Sequence, residues 1–160
     1  VYCGSFIAEP EIQARADLWY MQGTEVIFSC GGGISQSVIP AAENAGKQVI
    51  GVDVDQSDLS TSIITSAIKQ ADNATYNTVD QYFKGNFVGG KIQYFGADEH
   101  SIGLEMENSR FQNFTVEEYN EIYDALVTNR DNIATDILKD DVEPEELPLE
   151  CVLRQIESMK

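Results

Sequence analysis

One histidine, His100, serves the whole 160-residue chain, and it lies in a polar stretch. Ser-His-Asp triads and histidine-metal centres therefore have almost nothing to work with. Cationic side chains are scarce as well: 10 Lys and Arg stand against 27 Asp and Glu, a formal net charge of -17. The excess is uneven, because from Ser101 onward there are 15 acids and 5 bases, a net of -10. A field of that sign repels phosphate backbones, and no basic stripe relieves it, so nucleic acid is not an expected partner. It also favours a neutral small ligand over a strongly anionic one.

No apolar run is long enough to span a bilayer, and the opening residues VYCGSF lack the basic start and cleavage site of a signal peptide. Any export address is expected upstream. Cysteine is limited to Cys3, Cys30 and Cys151, far apart and with neither metal-ligand spacing nor a pairing logic. Cys3 and Cys30 fall in apolar, strand-like segments and read as buried small hydrophobes. Neither a metal nor a cofactor is expected. The glycine run GGGISQS has no spaced third glycine for a dinucleotide fingerprint, and no Gly-Lys-Ser/Thr follows it as in a phosphate loop.

What is present is an alternation of strands and helices. VYCGSF reads as a strand with its exit loop. EPEIQARADLWYMQG carries Ile12, Ala16, Trp19 and Tyr20 on one helical stripe, with Pro10 in the first turn and Gly23 at the stop. EVIFSC is a short continuous apolar run of the kind buried on both faces of a sheet. After the glycines, Ile34, Val38, Ala42 and Ala45 recur at helical spacing up to Gly46, and Pro40 predicts a start near Ser37, which would put the proline in the first turn. KQVIGVD is a third strand. STSIITSAIKQ is rich in β-branched residues and reads as extended, passing into a helix with Ala71, Ala74, Val79, Tyr82 and Phe83 inward. KIQYFG and SIGLEME read as two short strands. A long amphipathic helix is expected from Thr115 to about Lys139, its stripe Val116, Tyr119, Tyr123, Leu126, Ile133 and Ile137. DDVEPEELPLE is an acidic connector and CVLRQIESMK a final short helix. Strands joined through helices by short loops predict an α/β fold with a parallel sheet and helices on both faces, in three layers. The expected division is a ligand-binding α/β lobe over residues 1–110 and an acidic helical region over 111–160.

In such a sheet the ligand crevice lies beyond the carboxyl ends of the strands, where Gly4-Ser5-Phe6, Gly31-Gly32-Gly33 and Asp53-Val54-Asp55 arrive. Bare glycines let a ligand reach main-chain N–H groups at a helix start, or simply make a turn. Asp53 is suited to accept hydrogen bonds from vicinal hydroxyls, or else is a solvated strand-end aspartate capping a turn. Asp53 with Asp55 as a Mg²⁺ site is the weaker idea. Lys69 is either a fixed donor to a ligand or a surface lysine. Phe6 either stacks on a flat ring or belongs to a core.

The segments GSF, QGTEVIFSCGGG, AAENAGKQVIGVDVDQ and TSIITSAIKQADNATY, in that order, resemble the second half of the basic membrane protein family. These are substrate-binding lipoproteins of ABC transporters, among them purine-nucleoside receptors. IGVDVDQ and TSAIK carry the most specific part of the likeness, and FVGGKIQYFG and SIGLEM agree with the closing strands. The resemblance implies the second lobe of a type I periplasmic-binding-protein fold, in which two α/β lobes close on a ligand. Phe6 would stack on the base, Gly31 and Gly32 offer main-chain contacts, Asp53 bind ribose hydroxyls and Lys69 add a polar contact. The implied role is a binding protein and not an enzyme, an extracytoplasmic receptor that delivers a purine nucleoside to an ABC permease. Its lipid anchor and first lobe would lie outside this segment. Cys30-Gly31-Gly32-Gly33-Ile34 departs from the family's Ala-Gly-Gly-Thr-Gly loop. Two other functions stay open: a ligand-sensing receptor of the same fold for another ribosyl compound or a sugar, and a metal-dependent phosphotransferase or hydrolase using Asp53 and Asp55. Without the first lobe, the apolar face of the helix from Ala71 to Phe83 is expected to drive association with a second copy.

Overall fold

Pro10 opens helix α1 (Pro10–Met21), where its missing N–H costs nothing, and Gly23 follows the helix at φ +102°. The i, i+4 series Ile12, Ala16 and Tyr20 is the buried face, with Trp19 partly buried against the same cluster. The structure, a computed structural model, describes residues 1–133. The acidic connector, the final helix with Cys151, and Ile137 of the long stripe lie outside the described residues.

Strand β1 (Val26–Phe28) leads through a 3₁₀ turn (Gly32–Ile34) into helix α2 (Ser35–Ala45), which ends on Gly46 in the left-handed conformation. Helix α2 starts two residues earlier than Pro40 suggests. The proline falls in its second turn, where it withdraws the N–H that would bond the carbonyl of Gln36, an exposed residue. Ser37 anchors α2 to the start of α1, its Oγ accepting from Glu9 N–H at 2.9 Å and donating to the Glu9 carbonyl at 3.0 Å. Ala16, Ala41 and Ala42 join Val38, Ile39, Ile27, Val49 and Ile63 in one core between these two helices and the sheet.

Strands β2 (Gln48–Asp53), β3 (Ile63–Lys69) and β4 (Ile102–Leu104) complete a four-stranded sheet of order β1-β2-β3-β4. β1, β2 and β3 run parallel, with Phe28 opposite Ile50 and Asp53 opposite Ile68. β4 is antiparallel to β3, placing Ile102 beside Lys69, so the sheet is mixed rather than wholly parallel. Residues 54–62 cross from β2 to β3 with only a 3₁₀ turn (Ser57–Leu59). Asp55 holds that crossing by accepting from Ser57 N–H and Oγ at 2.9 and 3.0 Å, and Arg110 donates to the carbonyls of Ile63 and Ser57 at 2.8 and 3.1 Å.

Helix α4 (Val116–Val127) stands over the other face, and a capping box fixes its start: Thr115 Oγ1 accepts from Glu118 N–H at 3.2 Å while Glu118 Oε2 accepts from Thr115 N–H at 2.8 Å. The helix is much shorter than its apolar stripe predicts. Asn129, Asp131 and Asn132 all take positive φ, which Asn and Asp tolerate, and this ends the helix and leaves Ile133 exposed beyond it. No described helix is long and apolar enough to cross a membrane.

Four further expectations are corrected. VYCGSF is not a strand; it makes a single bridge at Tyr2 before Gly4 turns the chain at φ +68°. EVIFSC is not buried on both faces, since Ile27 and Ser29 on one face are covered and Val26 and Phe28 on the alternate face are exposed. Helix α3 (Ala71–Phe83) buries none of its residues, and Val79, Tyr82 and Phe83 are exposed because no described element packs over them. KIQYFG forms no strand, leaving SIGLEME alone to supply β4.

Tyr20 gives this core a pH dependence. Its hydroxyl donates to the Gln48 carbonyl at 2.8 Å, and burial pushes its pKa up from 10.0 to about 12. The folded phenol stays neutral after the unfolded one has ionised, so its contribution to stability is constant below pH 10 and falls as pH rises from 10 towards 12. The expected loss approaches about 2–3 kcal/mol. Denaturant titrations across that alkaline range should show it, and Tyr20→Phe should flatten it.

Candidate functional site

β1, β2 and β3 end at the same edge, and each delivers a candidate there: Gly31 and Gly32 after β1, Asp53 as the last residue of β2, and Lys69 as the last residue of β3. Phe6 reaches them from the loop before α1 and lies beside Gly32. All five line one pocket of about 590 Å³.

The backbone accounts for two of the three glycines. Gly32 has φ +59°, and a Cβ on Gly33 would stand 2.8 Å from the Phe6 carbonyl. The loop carrying Phe6 therefore lies directly on the glycine turn. The Phe6 ring itself is 77% exposed, which excludes the core reading of that residue and leaves its face open to a flat partner.

Asp53 sits at φ +70°, a left-handed backbone that Asp accepts at modest cost. Its Oδ1 pairs with Lys69 Nζ at 2.7 Å. That pair, first through its hydrogen bond and then through charge, raises the Lys69 pKa above its ordinary value, with Cys30 close enough to contribute. The two side chains are 75% and 44% exposed, so the ion pair adds little to stability; what it does is orient both groups. Each keeps free hydrogen-bonding capacity toward the pocket: a carboxylate has more lone pairs, and an ammonium more protons, than one contact uses.

Asp55 goes elsewhere. Ser57 N–H, together with the Ser57 hydroxyl and the Asn108 amide, holds its carboxyl below the usual range. Asp53 and Asp55 are thus engaged by separate partners and do not converge on one point. Among the described residues no cluster of three metal-ligating side chains forms. Cys30 corrects another expectation: it is exposed on the pocket wall rather than buried, while Cys3 is half-buried against the core.

Sequence reasoning missed the opposite wall. Tyr119, Ile122, Tyr123 and Leu126 of α4 and Ile102 of β4 line the same pocket. Helical periodicity had marked Tyr119, Tyr123 and Leu126, but as core residues. Tyr119 Oη accepts from Leu104 N–H at 3.2 Å, and Tyr123 Oη lies 2.9 and 3.1 Å from the carbonyls of Ile102 and Ala97. His100 stacks on the Tyr123 ring at 5.9 Å.

An open edge of parallel strands carrying an exposed aromatic ring, a carboxylate and a cation in one pocket is suited to binding a small molecule. The family model for ABC transporter substrate-binding proteins of the PnrA-like type matches residues 1–143, and the chain belongs to that family. Basic membrane protein B of Borreliella burgdorferi is 35% identical over 137 residues, covering 82% of this chain and 38% of the relative. The ABC transporter nucleoside-binding protein BmpA of Lactococcus lactis is 26% identical over 147 residues, covering 79% and 42%. The chain thus spans about two fifths of the length of these relatives. Among solved structures, one described as a transcriptional activator of the comK gene from Bacillus halodurans superposes with a TM-score of 0.61 at 21% identity, covering 80% of this chain and 44% of that one. An ABC transporter solute-binding protein from Aeropyrum pernix K1 superposes with a TM-score of 0.54 at 24% identity, covering 81% and 40%. Both likenesses concern the fold, which is that of the solute-binding α/β lobe.

Proposed function

We propose that this chain is the nucleoside-recognising lobe of a receptor that hands its ligand to an ABC permease. The purine base stacks on Phe6. Main-chain groups of Gly31 and Gly32 border the base and sugar, Asp53 accepts from the two ribose hydroxyls, and Lys69 holds Asp53 while donating to the ligand. Residues 1–110 form the ligand-binding lobe, and α4, at the start of the acidic region 111–160, supplies the opposite wall of the pocket. The role is extracytoplasmic, with membrane attachment through a lipid anchor outside these residues.

The observation that carries this reading is the meeting of Asp53 and Lys69 at 2.7 Å, at the carboxyl ends of adjacent parallel strands, in the pocket that Phe6 and the glycines also line. The name of the Lactococcus lactis relative, a nucleoside-binding protein, points the same way. Calorimetric titration of guanosine, adenosine and inosine into the product of the native gene tests it. Dissociation constants of roughly micromolar or below are expected for at least one of them. Saturable binding of none would remove the nucleoside and leave the family assignment standing.

A further inference from the structure

The pocket is longer than its polar groups require. Across the strand ends its wall runs from Phe6 and Gly32 beside β1, through Asp53 on β2 and Lys69 on β3, to Ile102 on β4, which is the register partner of Lys69, and then to α4. Neighbouring strands lie about 4.8 Å apart, so each step moves the ligand on by roughly one strand spacing. With the base on Phe6 and the vicinal 2′ and 3′ hydroxyls on Asp53, the sugar carbon left to point towards β4 is C5′. We infer that the pocket has a third subsite between β4 and α4 that takes an apolar substituent on C5′. The preferred ligand is then a 5′-deoxynucleoside bearing a short alkyl or alkylthio group, in preference to a nucleoside 5′-phosphate. This rests on the nucleoside reading of Phe6 and Asp53.

The chemistry of that end is one-sided. Tyr123 donates its hydroxyl to the main chain of β4 and its approach, and Tyr119 Oη accepts there from Leu104 N–H, so both hydroxyls are held at the main chain while the rings line the pocket. Ile102 and Ile122 are 43% and 48% exposed, which leaves apolar surface for a ligand to cover. Lys69 is the one cation among the described lining residues, and it is already paired with Asp53. Glu117 and Glu118 open α4 and add to the negative field. A phosphate would find no second cation there, whereas each methylene buried gains roughly fourfold in affinity.

The test starts from whichever of adenosine, guanosine and inosine binds, and compares it by calorimetry with its 5′-deoxy-5′-methylthio derivative and its 5′-monophosphate, using the native gene product. The derivative should bind about tenfold more tightly than the nucleoside, and the monophosphate at least about tenfold more weakly. Ile122→Ser, at a half-exposed helix position, and Ile102→Thr should each erase most of that advantage while leaving the parent nucleoside within about twofold. Equal binding of nucleoside and derivative, or a monophosphate as tight as the nucleoside, overturns the third subsite and spares the nucleoside reading. If no nucleoside binds, that reading falls and the subsite falls with it.

Discussion

Asp53→Asn is expected to weaken nucleoside binding by roughly 30- to 1000-fold while leaving the fold intact. In the proposed binding mode the carboxylate accepts from two ligand hydroxyls, and loss of charge-assisted hydrogen bonds of that kind costs about 2–4 kcal/mol. Asparagine is the informative replacement because Asp53 sits at φ +70°, which Asn tolerates as well as Asp. Alanine would mix lost recognition with backbone strain. Lys69→Met should cost about tenfold or less, since it removes the group that orients Asp53 at 2.7 Å and one direct contact, but not the acceptor. Calorimetric titration of the three proteins side by side reads both effects, with circular dichroism as the check on folding. Unchanged affinity in Asp53→Asn would mean that the ligand does not use that carboxylate.

The largest effect on stability is expected from Ile63→Ala. Ile63 is 0% exposed and lies in the cluster formed by α1, α2 and the sheet, so truncation opens a cavity that the alanine-rich helix contact has little means to fill. The cost should be about 2–5 kcal/mol in denaturant titrations. Phe83→Ala on α3 deletes a larger side chain, yet it should change stability by only about 0.5 kcal/mol or less, because that residue is 82% exposed. The comparison separates burial from hydrophobicity, two quantities that look alike when only the residue type is known.

That distinction also explains what could be read without coordinates. The Ile12, Ala16 and Tyr20 stripe, the β-branched run Ile63 to Lys69 and the glycine turn were legible because each pattern has a local cause: helical periodicity, strand preference and backbone freedom. The meeting of Gly31, Gly32, Asp53 and Lys69 followed, because they fall at strand ends, and parallel strands must bring such ends to one edge. α3 shows where this stops. Its periodicity identifies an apolar face correctly, but periodicity does not say what covers a face. α4 failed at its end for a different reason: Asn129, Asp131 and Asn132 carry a readable breaking signal, and the apolar stripe running past them outweighed it. The second wall of the pocket was hidden because Tyr119, Tyr123 and Leu126 have the same spacing whether they face a core or a cavity.

The left-handed backbone at Asp53 has a consequence at the level of the gene. Aspartate codons become asparagine or glycine codons by a single nucleotide change, and these are the residues besides aspartate that accept positive φ most readily. Replacements with other side chains disturb the end of β2 and are open to removal as misfolded protein. The two that the backbone accepts fold and escape that removal, although neither carries the anionic acceptor. Quality control of folding is therefore blind at this position to the changes that would abolish the proposed recognition, and under that proposal only selection on ligand binding itself would keep the aspartate in place.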